Sequence, residues 1–495
     1  MKKIGAMALA LILMAVLLLA GCQNKQPDDK TDPSDKLGQM LQVSSTVFKK
    51  LEGGYHEYLE ASKAYGKLVP YIGRRSMLSM GDGVHVDQEW WGFCTTDGLV
   101  VTDAVYSSIE WTETEAGNGV YVMTRIDEDD PMKSHAWMAA DDGKWVVDLG
   151  ENGYMVDCGN SRILTSTTRQ ASVSYTIYDY YGKQITVIEP MTGEEMYMSG
   201  FSGGYAFVER FVGGDYTETT PYGYYINRNG KEVFPYSFMA GQDFENGMAV
   251  VRATDGFYGI VRDNGTWFVE PSYFDITRYG NYFVLNDNYD CAVIDSTGKE
   301  VARFIETGNV WLTVGKEVLY RTTDDSTLRY LTTGEPVINS KTGDEVQDDS
   351  WTTDTLVSQY DASKHRLYVM DYYGTVKYTV DDYESTYECD GKFLAVHCHS
   401  NYEKYNWMDI KTGELILTTT DQLYESARTG WYYRATRHSN ATLYQMSTGE
   451  QIKFPSDHLV VQTVDGKLYY QLYNETQMIL MNADMDVLIK LSNKK

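Results

Sequence analysis

FENGMAVVRATDGFYGIVRDNGTWFVEPSYFD, from Phe244 to Asp275, decides the architecture of this chain. It holds MAVVRAT from Met248, FYGIVRD from Phe257 and TWFVEP from Thr266, and it runs into FDITRYG from Phe274. Each is a short apolar run bounded by polar or turn residues, the length of a strand rather than a helix. Asp263-Asn264-Gly265 separates the second run from the third, and Asn-Gly supplies the positive φ that a tight hairpin needs. Four short strands in about 40 residues is the size of one propeller blade.

The same phrase recurs outward in both directions. WWGFCTTDGLVV, AWMAADDGKWVV, YTIYDYYGKQITV, YGYYINRNGKEVF, CAVIDSTGKEVARF, LRYLTTGEPVI, RLYVMDYYGTVKY, NWMDIKTGELIL and TLYQMSTGEQIKF each place an apolar strand, a turn ending in Gly and a second apolar strand in that order. The turn glycines are Gly98, Gly143, Gly182, Gly230, Gly265, Gly298, Gly334, Gly374, Gly413 and Gly449; from first to last they span 351 positions in nine intervals, a mean of 39. An eleventh copy, QMILMNADMDVLIKL, lacks its Gly. With only 10 prolines and 41 tyrosines, the expected fold is all-β, built of about eleven blade-like repeats.

The Phe244–Asp275 stretch resembles the WG-repeat family: a strand reading F-x-x-G-x-A-x-V, an aromatic-Gly-apolar-Ile strand, a D-x-x-G turn and an apolar-Pro-x-Tyr-Asp exit. QEWWGFCTTDG from Gln88 carries the Trp-Gly pair itself. The resemblance is strongest over Tyr222 to Phe304, while CAVIDSTGKEVARF is similar to quinoprotein-type propeller repeats. The units around Asp295, Thr332, Asp371, Asp409 and Met446 depart from the pattern by lacking the Gly after the aromatic. The resemblance implies a β-repeat architecture and an interaction role, with no catalytic residue to carry over. Eleven units exceed the four to eight blades usual in one ring. Two propellers sharing residues 85–495 are the first expectation, and a single large ring or open β-array is the second.

Ahead of the repeats, Lys2 and Lys3 precede an uncharged run from Ile4 to Ala20 that ends Leu19-Ala20-Gly21-Cys22. That is a secretory signal, and its end resembles the bacterial lipobox, in which the Cys is diacylated and becomes the mature N-terminus. Residues 1–21 are then signal peptide, Cys22 the lipidation site, and residues 22–38, rich in charge and holding two prolines, a flexible tether. Two or more acyl chains hold a protein on a membrane lastingly. The expected location is the cell membrane, facing outside the cytoplasm. Residues 39–84 read as one or two short amphipathic helices or as a worn repeat ending at Tyr65-Gly66-Lys67, the helix being favoured.

The charge balance of 43 Lys+Arg against 70 Asp+Glu gives −27, or −29 once Lys2 and Lys3 leave with the signal. No basic run offers a footprint for phosphates, so nucleic acid is not an expected partner. Walker, dinucleotide, G-x-S-x-G and H-E-x-x-H patterns are all lacking, and the chain is read as a non-enzyme without cofactor. His397 and His399 in KFLAVHCHS alternate onto one strand face, but no further ligands follow at zinc-like spacing, so no metal ligands are assigned. Asp127-Glu128-Asp129-Asp130 and Asp287-Asn288-Tyr289-Asp290 lack the Gly and distal Glu of a calcium hand and read as solvated turns. Besides Cys22 there are five cysteines, an odd number, with Cys389 and Cys398 placed to meet across a short hairpin.

The surplus is aromatic. Trp90-Trp91, Tyr180-Tyr181, Tyr372-Tyr373 and Trp431-Tyr432-Tyr433 set neighbouring rings on opposite strand faces or at turns. Trp431, Tyr432, Tyr433, Trp90 and Trp91 form the candidate binding surface, because outward Tyr and Trp suit contact with proteins and sugar faces. The chain therefore reads as a lipid-anchored β-repeat scaffold that binds an envelope protein or glycan. The alternative from another class is a propeller enzyme, a hydrolase or a quinone-dependent dehydrogenase, which would gather charged loops at one end of the channel.

Overall fold

The computed structural model describes residues 46–492 apart from 81–83, 170–171, 192–193, 213–221, 349–350, 390, 421–422, 427–430, 435–440, 449, 455–457 and 474–476. The described residues form strands and turns without a helix, in eleven small sheets of three or four strands. Blades are counted here in chain order. In the fifth, Ala240–Gly241, Met248–Arg252, Tyr258–Arg262 and Trp267–Tyr273 form an antiparallel meander. The sixth repeats it with Asp275–Tyr279, Tyr282–Asn286, Cys291–Asp295 and Glu300–Phe304. This succession of small antiparallel meanders is a β-propeller.

Alternation along the middle strands explains why both of their faces are apolar. Met248 and Val250 pack with Phe283 and Leu285 of the sixth blade, whereas Ala249 and Val251 pack with Phe207 and Tyr225 of the fourth. Val284, between Phe283 and Leu285, faces the seventh blade with Val310 and Leu312. Each blade is thus glued on both sides. Full burial of one such Val or Leu stabilises by about 1.5–3 kcal/mol.

These clusters join every blade to its neighbours in sequence, and one more joins the last to the first: Val464, Tyr469, Leu480 and Ile489 of the eleventh blade pack on Val69, Tyr71, Cys94 and Val100. The blades close in a single ring of eleven. This corrects the expectation of two propellers, which would need a mid-chain blade packed on the first; among the described residues each core cluster instead links successive blades.

The helix expected within residues 39–84 is also corrected. Over the described part, Lys49–Lys50 is a short strand parallel to Leu99–Val100, and Leu68–Ser79 pairs with His85–Thr95. Gly53 at φ 68° and Gly66 at φ 66° interrupt the helical period. Leu59, Tyr65 and Leu68 are instead drawn into a core with Phe93, Tyr106 and Tyr121, and the Leu59 amide donates to the Tyr106 hydroxyl at 2.8 Å. Tertiary burial outweighs local propensity here.

Nine of the ten turn glycines have φ between 69° and 89°, as the hairpin reading requires; Gly449 lies outside the described residues. Whether Cys389 and Cys398 pair, left open by the sequence, is decided against a bridge. The hairpin register sets Cys389 opposite Phe393 and Cys398 opposite Tyr383, at opposite ends of the ladder, and Cys398 is free. At about 3.3 Å per residue the two lie on the order of 16 Å apart.

Candidate binding site at the middle of the ring

One edge strand of each blade faces the middle of the ring: Asp275–Tyr279 touches Val310–Val314, the first strand of the next blade, and in the first blade that edge is Leu68–Ser79. Where Ser108–Glu113 of the second blade and His458–Val464 of the eleventh meet the edge strand Leu68–Ser79 of the first, they enclose a hollow of about 530 Å³. Its walls are Pro70, Trp91, Ile109, Trp111, Tyr121 and the run Val460–Val464.

Local register builds this hollow. Trp111 pairs across the ladder with Tyr121, which is buried and donates its hydroxyl to the Leu68 carbonyl at 2.9 Å. Burial pushes the Tyr121 phenol well above its usual pKa, so it stays a neutral donor. Trp111 remains 47% exposed. Gly119 makes room for it: a Cβ there would come within 2.0 Å of the Trp111 Nε1. Gln462 donates to the Pro70 carbonyl at 2.7 Å and ties the two walls together. The result is a cup whose wall is mostly apolar, with the Trp111 indole lying over Gly119 and with Thr112, Glu113, Gln462 and Thr463 among its lining, suited to holding an apolar or aromatic side chain.

Of the residues singled out in the sequence, Trp91 lines this cup, while Trp90 is buried with its indole N–H on the Ser76 hydroxyl at 2.8 Å. Trp90 is therefore structural. Tyr372 and Tyr373 split in the same way, the first fully buried with its hydroxyl on the Thr353 carbonyl at 2.6 Å and the second 49% exposed. Trp431, Tyr432 and Tyr433 stand on the strand Trp431–Arg434, opposite Gln445, Tyr444 and Leu443, and their side chains lie outside the described residues, as does Cys22. Trp111 escaped the sequence reading because it stands alone rather than in an aromatic pair.

A second groove, of about 660 Å³, runs between the N-terminal segment and the second blade. Tyr58 and Trp137 form its floor with ring centroids 5.6 Å apart, and the Arg125 guanidinium sits 5.4 Å over Tyr58. The acidic run Asp127–Asp130 borders it. Asp127 accepts the Asp129 and Asp130 amides, Asp130 pairs with Lys133 at 2.8 Å, and Glu128 with Arg74 at 2.8 Å. Likewise Asp287 accepts the Tyr289 and Asp290 amides at 3.1 and 2.7 Å, which hold its carboxyl below the usual range.

His397 and His399 both approach the Tyr402 ring, at centroid distances of 5.6 and 6.3 Å, but they take different polar partners. A bulge between His397 and Cys398 breaks the alternation, and the strand ends at Cys398. His397 stacks on Tyr405, whereas His399 turns to Glu384.

No protein-family model matches the chain, and neither does any curated protein. Among solved structures it is similar to BamB from Moraxella catarrhalis at 10% identity, covering 62% of this chain and 87% of that one, with a TM-score of 0.20. Apo AztD from Citrobacter koseri matches at 12% identity over 64% and 91% of the two chains, TM-score 0.23. Kluyveromyces lactis Hsv2 matches at 9% over 50% and 94%, TM-score 0.24.

Proposed function

We propose that this protein is a membrane-tethered, non-catalytic propeller that binds an envelope protein, with the cup at the middle of the ring as the contact. The observation that carries the reading is the half-exposed Trp111 lining one hollow with Trp91, Ile109, Val460, Val461 and Val464. A partner's aromatic or aliphatic side chain entering such a cup loses apolar surface on all sides, which is how interface hot spots arise. The lipobox at Leu19–Cys22 and the charged tether after it support display outside the cytoplasm.

The test uses the soluble form starting at Gln23 on envelope extract, comparing the parent with Trp111→Ala and with Tyr181→Ala, a residue 77% exposed and away from the cup. Loss of a hot-spot ring costs about 2 kcal/mol, roughly thirtyfold in affinity. A partner lost with Trp111→Ala and kept with Tyr181→Ala supports the reading; one kept by both overturns it. For the anchor, Cys22→Ala in the full chain is expected to leave the detergent phase of a membrane partition.

A glycan partner is the second reading, supported by the Tyr58–Trp137 floor with Arg125, His135 and Glu151 around it. Aromatic faces with flanking polar groups suit a sugar ring. Trp137→Ala then removes binding to envelope polysaccharide and leaves protein capture intact.

A further inference from the structure

The eighth and ninth blades bring together three ligand-bearing side chains from two successive repeats. His365 stands at the hairpin between Leu356–Asp361 and Arg366–Asp371, Glu384 on the first strand of the ninth blade, and His399 just past Phe393–Cys398. One ligand atom from each lies within 4.8 Å of the other two. The imidazoles of His365 and His399 stack at 3.4 Å with 13° between planes, and His399 Nδ1 is 2.5 Å from a Glu384 oxygen.

The backbone beneath is pinned. His365 holds φ at 46°, and its carbonyl accepts the Tyr383 amide at 2.9 Å. The His399 amide donates to the Asp382 carbonyl at 2.8 Å, and the Asp382 carboxylate takes both the amide and the hydroxyl of Ser400 at 2.6 Å. Tyr360 places its hydroxyl 3.1 Å from His365 Nδ1, which leaves Nε2 for a ligand, as an outer partner of a metal-bound histidine does.

We propose that His365, Glu384 and His399 form a zinc-binding site that clamps the eighth blade to the ninth. Two imidazole nitrogens and one carboxylate oxygen suit a borderline divalent cation such as Zn²⁺ better than Ca²⁺ or Mg²⁺, which take oxygen ligands. Three protein ligands leave a coordination position open. Lone pairs lie in the ring planes, so binding swings one imidazole out of the stack. His399 and Glu384 have side chains 37% and 35% exposed, which leaves solvent-side space and makes the ion exchangeable rather than sealed in. The site is independent of the cup and of the proposed anchoring.

The experiment titrates the full chain with Zn²⁺ by calorimetry in excess Ca²⁺ and Mg²⁺, and follows thermal melting with and without Zn²⁺. The expected result is one zinc per chain, a melting temperature raised by the ion, and visible absorption bands when Co²⁺ replaces it. His365→Ala, His399→Ala and Glu384→Gln are each expected to weaken zinc binding by about tenfold or more, while His397→Ala leaves it unchanged. Should a histidine variant fail to melt cooperatively, Glu384→Gln decides, since the amide keeps the side-chain volume. Zinc binding that is missing, or that survives all three substitutions, or that falls only with His397→Ala, overturns the proposal.

Discussion

Val47 and Lys490 stand at opposite ends of the described chain and exchange two backbone hydrogen bonds, Val47 N to Lys490 O at 3.0 Å and Lys490 N to Val47 O at 2.8 Å. Two residues later, Lys49–Lys50 adds to Leu99–Val100 of the first blade. The N-terminal segment therefore bridges the last strand of the eleventh blade and the first blade across the seam of the ring. The eleventh blade already has its own four strands, and the segment instead supplies Lys49–Lys50 as the fourth strand of the first blade while it ties the chain ends together.

Val47→Pro removes one donor of this clasp and is expected to cost about 1–3 kcal/mol, the range for leaving its carbonyl partner unsatisfied. Hydrogen exchange at the Lys490 amide is the more direct readout. Exchange as slow as in the parent means that the clasp does not hold the seam.

Turn glycines differ in what surrounds them. Gly265 has φ 81° and a Cβ there would approach Phe234 to 3.1 Å, whereas at Gly374, φ 77°, the added carbon would lie 1.9 Å from the Ile338 carbonyl oxygen. Gly265→Ala is expected to cost about 1 kcal/mol through left-handed strain alone. Gly374→Ala adds a backbone clash and is expected to cost about 3 kcal/mol or more. Melting temperatures in the reverse order would exclude this account.

Glu194 has a side chain only 7% exposed and accepts Arg210 at 2.8 Å and the Tyr222 hydroxyl at 2.8 Å. Burial alone raises a carboxyl, but the Tyr222 and Arg210 hydrogen bonds outweigh it and hold Glu194 below the usual range. A lowered folded-state value means the stabilisation is complete above the unfolded value, about 4.3, and is lost as pH falls through the folded one. Glu194→Gln is expected to cost about 2 kcal/mol at pH 7, with the gap from the parent narrowing below pH ~4. A gap constant between pH 7 and 3 counts against the pairing.

Burial pushes the Cys94 thiol far above its ordinary value and, with the Asp157 and Glu115 charges, pushes the half-buried Cys158 thiol up to about 11. At pH 8 about one in a thousand Cys158 side chains is thiolate, the reactive form. Maleimide mapping by mass spectrometry is expected to show Cys94 unlabelled and Cys158 labelled slowly in the native protein, with both modified at once in guanidinium. Fast native labelling of Cys94 would mean that the seam core around Val69 and Ile489 opens readily.

What the amino-acid order determines by itself is local. Short apolar runs around Val250 and Val284 make strands, Asp-Gly and Asn-Gly set the turns, and a 39-residue mean interval sets one blade; these depend on dihedral preferences and on residues close in sequence. Ring size is not local. It follows from the wedge angle between blades, fixed by how side chains such as Phe283 and Leu285 fill each interface, so eleven repeats are compatible with two rings until packing closes Ile489 onto Val69. The N-terminal segment obeys the same rule, since Leu59 and Tyr65 carry a pattern open to helix and only the apolar pocket around Phe93 makes strand and turn the better burial. The sites were hidden for a related reason. His365 and His399 lie in different repeats, and Trp111 meets Val460 only across the seam, so no spacing along the chain announces either meeting; packing of successive blades creates the first and closure of the ring the second.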